Sequence, residues 1–245
     1  MEEELGTYSR RDFLLHLIPA IALAGCATAP IDVNDTFSEI KIGCSPIEDP
    51  RYELCGVGYS LAELKRIRAE AWQKEPQWCW AACIQMAFRF HGYEVSQERI
   101  VMDTYGRTVN LPAFSWQIHR QLSREWTDDT GRNFEVSSQN LIDWQQGIQG
   151  TALTGKQVQD ELAGGRPLII GTGGHAMLLV AQESIREVNN DRPATIRRAT
   201  VIDPWPFRLD NNQFKTILAM DITMTQFMSS IEVVSAATTT DVPAR

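Results

Sequence analysis

The sequence predicts an α+β domain in which helices come first and strands second, with the functional site where the two halves meet. Two observations carry this. Up to Ala163 the apolar residues recur mostly at helical spacing, whereas after Gly164-Gly165 they gather into short runs of strand length separated by turn residues. A chain of 245 residues with 43% hydrophobic content can bury one ordinary core, so one domain with terminal tails is the simplest organisation.

At the N-terminus, Ser9-Arg10-Arg11-Asp12-Phe13-Leu14 leads into an apolar run to Gly25 that is too short to span a bilayer and has the length of a signal-peptide core. It closely resembles a twin-arginine export signal, with Leu15 and the acidic Glu2-Glu3-Glu4 as departures. Leu23-Ala24-Gly25-Cys26 resembles the lipobox of bacterial lipoproteins. That resemblance implies cleavage before Cys26 and a lipid on its thiol, which would hold the protein on a membrane of the bacterial cell envelope. Ala27 is of the type that permits onward sorting, so the outer membrane, facing the periplasm, is the expected location. The divisions expected are a signal peptide over 1–25, a lipidated tether over 26–40, a folded domain over 41–236 and a flexible tail over 237–245.

Cys44 and Cys55 bracket a turn-rich segment, and an exported protein can keep such a pair oxidised, so a disulfide between them is predicted. Ser60-Leu61-Ala62-Glu63 is a capping box that opens a helix to about Ala71. Pro76 has no amide hydrogen and its ring clashes with a preceding turn, so the next helix begins after it, from Trp78 to Phe90, and stops at Gly92. Ser96 caps a short helix through Asp103, and Leu111, Phe114, Ile118 and Leu122 share one face of another. Asp128-Asp129-Thr130-Gly131 marks a turn, Gln139 to Gln146 reads as a weak helix, and Gly155 to Ala163 as a further one. Strands are predicted over Pro167 to Gly171, Ala176 to Gln182, Ala199 to Ile202 and Phe227 to Val234 of an antiparallel sheet, with a hairpin turn at Asn189-Asn190-Asp191.

The formal charge of -8 and the lack of a basic run argue against a nucleic-acid surface. Five cysteines without paired CxxC spacing argue against a zinc site, and neither a metal nor a cofactor is expected.

The chemistry centres on Cys79. It falls in the first turn of its predicted helix, where unpaired amides and the positive end of the helix dipole favour a thiolate. A cysteine by itself is more often a small buried apolar residue, so a base has to be found. His16 leaves with the signal, His91 lies roughly 18 Å along the same helix at 1.5 Å per residue, and His119 sits within a helix. His175 follows Gly173-Gly174 and opens a strand, where its ring can project toward another layer and serve as the base. Asp203, at the end of the Thr200-Val201-Ile202 strand, is the candidate to orient that imidazole, with Trp205 as a shield for their hydrogen bond. Cys83, one turn beyond Cys79, reads as a packed thiol.

These residues resemble the papain-like cysteine proteases, in the compact bacterial branch that includes effector proteases of plant pathogens. The resemblance spans about Gln73 to Trp205. It rests on a glutamine six residues before the cysteine (Gln73), on Cys79-Trp80-Ala81, on Gly173-Gly174-His175, and on an acidic residue with tryptophan two places on (Asp203, Trp205). Pro76-Gln77-Trp78 departs from the Cys-Gly-Ser of the plant and lysosomal enzymes. The resemblance implies a papain-like fold, Cys79 as nucleophile, His175 as base, Asp203 as its orienting group, Gln73 as oxyanion donor, and a protein or peptide substrate. Two rival expectations stand beside it: the same chemistry on peptidoglycan cross-links or in acyl transfer, and a non-catalytic binding lipoprotein that keeps the fold.

Overall fold

Among the described residues nine strands form one antiparallel sheet, and the helices that precede most of them in the chain pack against it. The computed structural model describes residues 41–68, 71–148, 155–189, 195–205, 214–218 and 225–235. The expected signal peptide, tether and tail lie outside the described residues. In chain order the elements are β1 (Lys41–Pro46), β2 (Tyr52–Gly58), α1 (Leu61–Arg68), α2 (Cys79–Phe90), α3 (Gln97–Tyr105), α4 (Ser115–Gln121), β3 (Arg124–Thr127), β4 (Asn133–Asp143), α5 (Gly155–Ala163), β5 (Leu168–Thr172), β6 (His175–Glu187), β7 (Thr195–Ile202), β8 (Phe214–Leu218) and β9 (Phe227–Ser235). The α+β class read from the sequence is the observed one.

The helix α2 is the axis of the helical half. Every residue from Cys79 to Phe88 is buried, because the helix packs against α1, α3 and β6 at once. A helix apolar on all sides has to be enclosed in this way. Phe88 carries the core into the sheet through edge contacts with Trp126 of β3 and Phe134 of β4, at centroid distances of 5.5 and 5.1 Å. The helix ends where expected. Gly92 takes a left-handed φ of 84°, and Arg66 of α1 donates to the carbonyls of Arg89 and Phe90 at 2.7 and 2.9 Å, satisfying groups that have no partner within the helix.

The long strand β6 organises the sheet. β5 pairs with its first residues and β2 with its last, one after the other along one edge, while β7 takes the opposite edge. β5 continues to β9, β4 and β3. This branching places the start of β6, with His175, and the end of β7, just before Asp203, beside each other: Leu178 pairs with Ile202.

Two readings need correction. Gln139 to Gln146, read as a weak helix, is the second half of β4 followed by a single 3-10 turn, Trp144–Gln146, and β4 pairs along nearly its whole length with β9 from the far end of the chain. The helix expected from Leu111 begins only at Ser115. The residue before a proline is held out of helical backbone, so Leu111 cannot open it, and Phe114 at the N-cap is extended, with ψ 159°. The segment between Cys44 and Cys55 is a hairpin of β1 and β2, with the two cysteines directly opposed and joined by a disulfide, as expected. Of the predicted Asn189-Asn190-Asp191 turn, only Asn189 lies within the described residues, and it has a positive φ of 60°.

Candidate active site

The turn that delivers Cys79 is built by Pro76. The amide of Trp78 donates to the carbonyl of Glu75 at 3.0 Å, closing a four-residue turn with proline at its second position, where a fixed φ is already suitable. Trp78 then acts as the N-cap of α2 without a side-chain hydrogen bond to the first-turn amides, so no capping side chain competes for them. A second segment straps this turn from outside. Asn110 accepts from the Gln77 amide at 2.9 Å, and the carbonyls of Val109 and Leu111 accept from the indoles of Trp78 and Trp80 at 2.8 and 3.2 Å. The burial of Trp78 assigns it to the core, while Trp116 is half exposed.

Across from this turn, Gly173 and Gly174 both take positive φ, 57° and 80°, in the tight connection from β5 to β6. L-residues with side chains rarely adopt such a pair, and the turn sets His175 at the first position of β6. Its ring meets both partners. Nε2 lies 2.7 Å from Oδ1 of Asp203, and Cys79 lies close enough to the ring to favour its protonated form. With Nε2 committed to Asp203, Nδ1 is the ring nitrogen left for a second partner. The same Oδ1 accepts the Trp205 amide at 3.0 Å, and the Trp205 indole stands edge-on to the imidazole at 6.3 Å. Cys79 and Asp203 are buried, and His175 is partly exposed.

Burial opposes the charged form of His175. The hydrogen bond to Asp203 and the neighbouring Cys79, with their negative charge, outweigh it and raise the imidazole to about 9. At neutral pH the ring is therefore an imidazolium placed between Cys79 and Asp203. Cys83 is wholly enclosed, and burial pushes its thiol well above the ordinary range, with the charges of Cys79 and Asp203 adding to the effect. It stays protonated and inert.

Gln73 is buried beside this constellation, and its backbone amide donates to the carbonyl of Pro204 at 2.8 Å. Its side chain points into the Pro76 turn: Nε2 donates to the carbonyls of Glu75 and Pro76 at 3.1 and 3.0 Å, while Oε1 is buried without a partner among the described residues. The sequence-derived set thus comes together in space as Cys79, His175, Asp203 and Trp205, with Gln73 at its border. Sequence reasoning missed the groups that hold Gln73. A polar residue opening an amphipathic helix, as Gln97 does, carries no signal of burial.

A model of the Peptidase_C39 like family matches residues 64–221, well over half of the chain, and its span includes all of these residues. The chain belongs to that family. The match supports a cysteine peptidase of papain-like fold, in keeping with the α+β architecture. No curated protein matches the chain.

Proposed function

We propose that this member of the Peptidase_C39 like family is a lipid-anchored cell-envelope peptidase that cleaves peptide bonds through a Cys79-His175-Asp203 triad. The observation that carries this reading is the imidazole of His175 held on Asp203 with Cys79 beside it. The thiolate of Cys79 attacks the substrate carbonyl, forming a C–S bond and an oxyanion. The imidazolium of His175 then gives its proton to the leaving amine as the C–N bond breaks, leaving a thioester. Water attacks the thioester while His175 takes its proton, and the acid departs with the Cys79–His175 pair restored. Asp203 holds the ring in one orientation throughout.

The oxyanion is received by the Cys79 amide and by Nε2 of Gln73. In the resting arrangement Nε2 donates to two neutral carbonyls, and exchanging one of them for an oxyanion gives a stronger, charge-assisted bond. The short separation from Cys79 to His175 supports a place in the compact bacterial branch of papain-like enzymes, with a protein or peptide as substrate.

The test is iodoacetamide labelling of the protein against pH, with the modified cysteine located by mass spectrometry. Selective labelling of Cys79 well below pH 8, shifted upward in His175→Ala, is expected. Slow labelling with an unperturbed profile would turn the reading toward a binding lipoprotein. Anchoring is tested separately by metabolic labelling with palmitate, which should be lost in Cys26→Ala.

A further inference from the structure

We infer that Gln97 is a positioning residue for the oxyanion site, acting through the backbone of Gln73. This rests on the proposed acyl-transfer reading of the site. Gln97 is the first residue of α3 and is fully buried. Its Oε1 accepts from the Lys74 amide at 3.0 Å, and its Nε2 donates to the Trp72 carbonyl at 2.9 Å and to Oε1 of Gln85 on α2, also at 2.9 Å. The two backbone partners belong to the peptide units on either side of Gln73. One side chain therefore fixes the planes between which the φ and ψ of Gln73 turn. The first of those units is held on its other side as well, where the Gln73 amide meets the Pro204 carbonyl.

The bond to Gln85 ties this clamp to the nucleophile helix, six residues along from Cys79. The donor of Gln73 and the thiol of Cys79 are thereby referenced to one frame. A backbone-to-side-chain amide clamp is specific in a way that apolar packing is not. A carbonyl and an N–H present opposite demands, so the Gln97 amide fits in only one orientation. The consequence is geometric: an oxyanion donor helps only when it waits at the place where charge develops, and a displacement of the Gln73 backbone moves it away.

Two probes separate this role from general support of the fold. Acylation of Cys79 by p-nitrophenyl acetate creates an oxyanion, whereas alkylation by iodoacetamide displaces iodide at a saturated carbon and creates none. In Gln97→Leu the ratio of acylation to alkylation is expected to fall by about tenfold or more, with the alkylation rate and its pH profile kept, as expected also of the reference variant Gln73→Ala. Gln97→Glu keeps the acceptor for Lys74 but loses the donors to Trp72 and Gln85, so it should fail to restore the ratio. Equal falls in both rates, or an unchanged ratio, would overturn the inference. Should Gln97→Leu not fold, Gln85→Leu decides: it frees the clamp from α2 only, and an unchanged ratio there overturns the inference too. Absence of selective alkylation in the unsubstituted protein would instead overturn the nucleophile assignment itself, taking the inference with it.

Discussion

Oδ1 of Asp203 receives both the ring of His175, at 2.7 Å, and the amide of Trp205, at 3.0 Å. The second bond fixes the carboxylate from its own chain, so the ring is oriented by a group that is itself held. Asp203→Asn keeps the shape but removes the charge that helps hold His175 at about 9. The alkaline limb of Cys79 acylation, which needs the imidazolium and is lost as pH rises through 9, should move to lower pH. The rate at neutral pH should fall about tenfold, as expected for a general acid that is less protonated and less well held. A pH profile with a peptide p-nitroanilide, whose amine leaving group takes the proton, measures both.

Cys83 lies one helical turn from Cys79 but is enclosed on every side, and its thiol is pushed up by burial. Iodoacetamide should leave it unmodified in the folded protein even where Cys79 is fully labelled. Cys83→Ala should not change the Cys79 profile and should cost about 1 kcal/mol of stability for the small void it leaves. Peptide mapping after labelling, and urea titration, check the two parts.

Two histidines set opposite limbs of the stability profile. Burial lowers His91 to about 4, against the help of its hydrogen bond to the Ile231 backbone, and its Nε2 is buried without a partner among the described residues. A folded value below the ordinary 6.5 means that the unfolded chain binds the proton first, so stability is lost as pH falls from about 6.5 toward 4. His175 is raised, so its contribution is complete below about 6.5 and is lost as pH rises toward 9. Urea midpoints should therefore peak near pH 6.5. His91→Asn should flatten the acid limb alone, and His175→Ala the alkaline limb alone.

The Cys44–Cys55 disulfide joins opposed positions of β1 and β2, at the end of the sheet away from His175. Closing so short a loop contributes on the order of 2–3 kcal/mol through the unfolded chain. Cys44→Ser should lower stability by about that amount in urea. The alkylation rate of Cys79 should be unchanged, because the pairing of β6 with β5 and β7 that positions His175 does not involve β1.

Local signals in the sequence determined much of this protein. The proline before Cys79, the glycines before His175 and the apolar runs of the second half were enough to draw the nucleophile helix, the α5 helix and four strands, with errors mainly at their ends. Those features act within a few residues of where they stand, through backbone restriction and side-chain periodicity. The strand over Gln139 was illegible because its polar, weakly alternating residues have no strand character apart from β9, which lies far along the chain. Cys79, His175 and Asp203 were picked out by local motifs and the resemblance these carry, but the bond between His175 and Asp203 was decided by the branching of the sheet at β6. The placement of Gln73 was decided by tertiary structure alone. Its backbone is held by Gln97 and Pro204, and its side-chain amide turns toward two carbonyls, because buried polar groups take whichever partners the packed chain brings within reach.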